Sequence, residues 1–146
     1  VTETARVRPA EDSDRLAIAD LADRVAAHLL ERGTLDWRPS ALEPPQGLFV
    51  LEERGTVTGT VAVRLEPGTG HLSFLMAVPG GNRGRRLLAW AERYVAGTGR
   101  QVLRLDCSAS NRRLLRYYQE AGYGIVVTTD DGMVVFEKRL IPSVPE

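Results

Sequence analysis

Hydrophobic and polar positions change rhythm several times along this chain. Residues 5–10, ARVRPA, alternate and predict a short first strand. Asp12, Ser13 and Asp14 then offer N-cap oxygens to a helix that runs to about Arg32 and stops at Gly33. Within it Leu21, Val25 and Leu29 recur every fourth residue with Ile18 beside them, a stripe that packs against a sheet. RGTLDWRPSALEPPQ, residues 32–46, is a polar, proline-bearing connection of the kind that carries functional loops. GLFVLEE and TVTGTVAVRL predict a β-hairpin, and EPGTG turns the chain into a fourth strand, HLSFLMAV.

A second helix is predicted from about Arg85 to Ala96, where Leu87, Leu88, Ala91, Tyr94 and Val95 keep helical spacing before Gly97 and Gly99. QVLRLD reads as a fifth strand. Ser108 or Ser110 can cap a third helix with Leu114, Leu115, Tyr118 and Ala121 on one side and Gly122 at its end. YGIVVTT, the turn DDG and MVVFEKRL form a closing hairpin, and IPSVPE is a loose tail. The order is β, α, β-β-β, α, β, α, β-β, which is α+β or mixed α/β.

Composition narrows the class. The length of 146 residues predicts one domain, 1–146, and 19 basic residues balance 19 acidic ones. No global field therefore draws the chain to nucleic acid or an anionic membrane, and any charged site must be local. Local arginines at 83, 85, 86, 112, 113 and 116 are the sole argument for nucleic acid, and no such partner is expected. Neither a bilayer-spanning run nor the apolar h-region of a signal peptide is present, so a cytoplasmic protein is expected. One cysteine, Cys107, excludes an internal disulfide, and with two histidines, His28 and His71, no metal site is expected. Cys107 reads as a small buried hydrophobe and His28 as a helix-face residue.

The candidate chemistry starts at AVPGGNRGRRLLAWAE, residues 77–92. A glycine-bearing turn between a strand and a helix gathers unpaired N–H groups and the positive end of a helix dipole, where phosphate oxygens bind. Arg83, Gly84, Arg85 and Arg86 would complete such a cradle, the arginines through charge-assisted hydrogen bonds. Taken alone, the stretch reads equally as a tight turn followed by solvated arginines. It has neither the Gly-Lys-Ser/Thr ending of a nucleotide P-loop nor G-x-G-x-x-G.

The second half decides more. LRLDCSASNRRLLRYYQEAGY, residues 103–123, together with RGRRLLAWAE resembles the GNAT superfamily of acetyl-CoA-dependent N-acetyltransferases. Its most specific element is Asn111 followed by Tyr118 and Gly122-Tyr123, similar to the family's N...(F/Y)Y-x-x-x-G-(F/Y) segment. RGTLDW and LRLDC...N...YY also look like a bacterial group of small acetyltransferases. The resemblance implies a mixed, mostly antiparallel sheet of about six to seven strands, flanked by helices and splayed between the fourth and fifth. It also implies acetyl-CoA as co-substrate, direct transfer to a primary amine of a small molecule or peptide in a ternary complex, and a C2 dimer as one assembly.

Residue by residue, the resemblance puts Tyr118 on the tyrosine that protonates the departing thiolate; on its own it reads as a buried tyrosine bonded to a carbonyl. Asn111 would bond the pantetheine or the cofactor backbone, or serve only as a helix start. Met76, Ala77 and Val78 fall on the strand whose backbone binds pantetheine and aims an N–H at the thioester oxygen. An amine must lose a proton before it attacks, and the fourth strand lacks the Glu that many relatives place there. His71 and Asp106 are the general-base candidates, with a turn residue and a helix-entry cap as their ordinary readings. Trp37 would line the acceptor wall or pin its loop. The glycine-rich turn is shorter than the family's R-G-x-G-x-G/A by about four residues, which removes N–H donors from the phosphates. That shortening, with the missing carboxylate, motivates the alternative of a non-catalytic acyl-CoA-binding or interaction module on the same fold.

Overall fold

The structure, a computed structural model, describes residues 5–31 and 47–140. Seven strands and three α-helices follow the expected order. They are β1 (Ala5–Pro9), α1 (Arg15–Glu31), β2 (Leu48–Glu53), β3 (Thr56–Glu66), β4 (Thr69–Ala77), α2 (Arg83–Gly97), β5 (Val102–Ser108), α3 (Arg112–Glu120), β6 (Gly124–Thr128) and β7 (Met133–Arg139). The sheet order is β1-β2-β3-β4-β5-β7-β6. β4 and β5 pair in parallel over four positions, from Thr69↔Val102 to Leu72↔Leu105. The ladder ends there, although β4 runs on to Ala77 and β5 to Ser108, as a splay between these strands requires.

The chain divides into two compact units at Val63/Arg64, Ser73/Phe74 and Ala91/Glu92. In the first, Ile18, Leu21 and Ala22 of α1 are buried in a cluster with Leu48, Val50, Val57, Ala62 and Met76, and Val25 packs against it. The Leu29 end of the expected stripe lies outside the described side chains. Each Val, Leu, Ile or Met side chain buried there contributes about 1.5–3 kcal/mol. In the second unit Leu103, Leu105 and Cys107 alternate along β5. They share a face with Val134 and Phe136 of β7 through the pairs Leu105↔Phe136 and Cys107↔Val134.

Three expectations need correction. A 3-10 turn, Asp12–Asp14, precedes α1. Asp14 is not an ordinary N-cap: its carboxylate accepts from Glu11 N–H at 2.7 Å and from Arg8 at 2.8 and 2.9 Å, tying β1 to the helix start. α2 begins at Arg83, two residues before the expected Arg85. The cap of α3 is Asn111, whose Oδ1 accepts from Leu114 N–H at 3.1 Å, whereas the Ser108 and Ser110 hydroxyls bond each other at 2.8 Å. A carboxamide three residues before the N–H it caps outcompetes the serines because they stand too early in the chain to reach the first turn.

Candidate active site

In the first unit the site begins with a break in the regular backbone of β4. Phe74 has φ +55°, a conformation that L side chains rarely adopt, and its carbonyl accepts from the buried Thr60 hydroxyl at 2.8 Å. Such strain costs about 1–3 kcal/mol and tends to be kept where a strand is re-aimed. Further on, the Val78 N–H donates to Thr58 O at 2.9 Å. Successive N–H groups of a strand point to opposite edges, so the Ala77 N–H points away from β3. Of residues 76–78, Val78 is therefore excluded as a thioester donor because β3 already holds its N–H. Met76 is buried.

The following turn has three consecutive left-handed residues, Gly80 (φ +97°), Gly81 (φ +67°) and Asn82 (φ +53°). Two glycines make that run affordable, and the chain enters α2 at Arg83. Arg83 is not an arm extended to solvent, contrary to the reading of solvated arginines. Its Nε donates to Glu53 Oε1 at 2.6 Å and its Nη1 to Gly80 O at 2.9 Å and Pro79 O at 3.3 Å. Arg86 Nη1 lies 3.4 Å from Glu53 Oε2 and 3.5 Å from Gly81 O. Gly84 sits within the first turn of α2, and Arg85 is exposed beside it. The Thr58 hydroxyl donates to Glu53 Oε1 at 2.6 Å. This bond, then the one from Arg83, holds the Glu53 carboxyl well below its usual range, down to about 2. Sequence reasoning missed Glu53, since nothing local couples it to an arginine 30 residues on.

In the second unit Tyr118 is 6% exposed, with Tyr117, Phe136 and Tyr123 rings at centroid distances of 5.3, 5.6 and 6.0 Å. Burial, followed by the neighbouring Cys107, Tyr117 and Asp106, pushes its phenol above the ordinary tyrosine value. The proton stays on the oxygen. Tyr123 donates to Glu92 Oε2 at 2.8 Å, and Lys138 Nζ bonds both Glu92 oxygens at 3.2 Å and Ala121 O at 3.0 Å, fixing the end of α3. The Cys107 thiol is buried and pushed up to about 11, chiefly by burial, which bears out its reading as a small hydrophobe.

His71 and Asp106 come together. His71 is the third residue of β4, not a turn residue, and Asp106 lies inside β5, not at a helix entry. Their Nε2 and Oδ1 stand 3.6 Å apart, beyond hydrogen-bond range but within that of an ion pair. His71 pairs with Arg104 across the parallel ladder, so both share the face of Asp106, opposite the Leu105 and Phe136 face against which Tyr118 packs. Trp37 lies outside the described residues. No described group of His, Cys, Asp and Glu could hold a metal, and no described helix is long and apolar enough to cross a membrane.

Among solved structures, a GNAT-family acetyltransferase from Listeria monocytogenes matches at TM-score 0.77 with 22% identity, over 93% of this chain and 95% of that one. The PaiA N-acetyltransferase of Thermoplasma acidophilum, in complex with coenzyme A, matches at 0.74 with 17% identity over 94% and 99%. The ribosomal-protein-S18-alanine N-acetyltransferase of Escherichia coli matches at 0.72 with 18% identity over 93% and 94%. At these identities the likeness speaks for the fold. No curated protein sequence matches. The family model of the acetyltransferase (GNAT) family matches residues 14–123, from the carboxylate that anchors the start of α1 to the Tyr123 ring beside Tyr118, and the chain belongs to that family.

Proposed function

We propose that this N-acetyltransferase moves an acetyl group from acetyl-CoA to a primary amine of a small molecule or peptide, by direct attack in a ternary complex. Acetyl-CoA supplies the thioester carbon that the amine attacks. The residues fit such a co-substrate: an outward Ala77 N–H can hydrogen-bond a carbonyl, and the left-handed turn with Arg85 and the start of α2 can take phosphates. Arg83 and Arg86 add to that charge while held by Glu53. Asn111 has its Oδ1 committed to the cap, so a contact with the cofactor would come from its Nδ2 donor.

The observation that carries the reading is Tyr118, buried at the family position with its proton retained. A phenol so placed can donate to sulfur as the C–S bond breaks. His71 and Asp106 stand on the other face of the strands in the same unit, 3.6 Å from one another, and are the candidates to take the proton of the amine. The test is release of free coenzyme A thiol over a panel of primary amines, with Tyr118→Phe beside the wild type. The expected result is a fall in kcat of about a hundredfold with acetyl-CoA binding retained. A chain that binds acetyl-CoA and transfers to no amine, or whose turnover ignores Tyr118→Phe, belongs instead to the non-catalytic binding reading.

A further inference from the structure

Glu53 stands at the end of β2, yet its carboxylate serves the start of α2. Oε1 accepts from Arg83 Nε and from the Thr58 hydroxyl, each at 2.6 Å, and Oε2 faces Arg86 Nη1 at 3.4 Å. Both arginines also reach backward to carbonyls of the turn. Two of the three arginines of this helix start thus share one carboxylate, which Thr58 fixes from a strand.

We propose that Glu53 is a built-in counter-ion that lowers the affinity of the α2 start for the diphosphate of coenzyme A. The proposal rests on the acetyl-CoA reading above. An incoming diphosphate and Glu53 compete for the same guanidinium groups, and the two anions repel one another at a distance shorter than the Debye length. Because the carboxyl stays ionised down to about pH 2, the offset is permanent at any physiological pH. The family's longer glycine turn would meet phosphates with more N–H groups; here, affinity leans on side-chain charge, and Glu53 sets how much of it is available. The simpler role, in which Glu53 merely orients the two arginines for the phosphates, predicts the opposite sign.

Calorimetric titration of coenzyme A and of inorganic pyrophosphate into the wild type, Glu53→Gln and Glu53→Ala, at low and high salt, separates them. Glu53→Ala is included because the glutamine amide could turn its own N–H toward Arg83. We expect both variants to bind both probes about three- to tenfold more tightly at low salt, the scale of one charge pair at a partly exposed site. That gain should shrink at high salt. The KM for acetyl-CoA should fall in parallel. Equal or weaker binding by the variants, with the wild type binding coenzyme A, overturns the role of Glu53 and leaves the acetyl-CoA reading intact. Loss of cooperative folding in both variants also overturns it, since Glu53 would then be needed to build the hairpin. Failure of the wild type to bind either probe removes both.

Discussion

His71 and Asp106 show what a residue gains from its neighbours in space. Thirty-five positions separate them in sequence, and each alone has an ordinary explanation. The parallel ladder puts them side by side at 3.6 Å. If the pair takes the proton of the amine, His71→Gln should lower kcat/KM for the amine by about 10²-fold, in the range of lost general-base catalysis, and leave acetyl-CoA binding as it was. Steady-state kinetics at saturating acetyl-CoA checks this; an unchanged value removes His71 from the chemistry. Tyr118 was legible because its helical phase and the Asn111 and Gly122-Tyr123 spacing are all local. The His71–Asp106 and Arg83–Glu53 pairs were not, because strand register and hairpin packing create them. Asn111 was half legible: its position was marked, while its capping role depended on where α3 begins.

Elements were easier to read than their junctions. Alternation and helical spacing gave the order of strands and helices, since burying one face is a demand written into every second or every third to fourth residue. The break at Phe74 had no signal, because a phenylalanine is not the residue that a left-handed backbone announces. Helix and strand approach closely at Gly59 of β3. A Cβ there would meet Leu87 Cδ1 at 2.6 Å and Met76 O at 3.2 Å. Gly59→Ala must push α2 from the strand or force Leu87 off its rotamer, and should destabilise the protein by about 1–3 kcal/mol. Urea unfolding gives the value; a neutral result would mean that Leu87 moves aside without cost. At the far end of α3, Lys138 on Ala121 O and Glu92 hold the segment that carries Gly122 and Tyr123. Helix and strand are thus tied at the position where the family motif ends.

For the molecule as a whole, a net charge of zero conceals an uneven use of carboxylates. Asp14, Glu52 and Glu53 are all held below their usual range, first by hydrogen bonds from Arg8 for the former two and from Thr58 for the last. All three belong to the first unit. A depressed carboxyl binds fewer protons folded than unfolded, so its stabilisation is present above the unfolded value and fades as the pH falls toward the folded one. For Glu53 that window runs from 4.5 down to about 2. Acid should therefore loosen the first unit over this range, Glu53 alone accounting for about 1–3 kcal/mol. Amide exchange followed by NMR checks it, and simultaneous loss of protection in both units would contradict it.

The second unit carries its own witness to such events. Cys107 is the sole thiol of the chain, shut away on β5 with its acidity suppressed to about 11. Cys107 is 7% exposed, so an alkylating reagent reaches the sulfur only in molecules in which β5 has opened. Its labelling rate in the presence of excess reagent is therefore a clock for that opening, built into the native sequence.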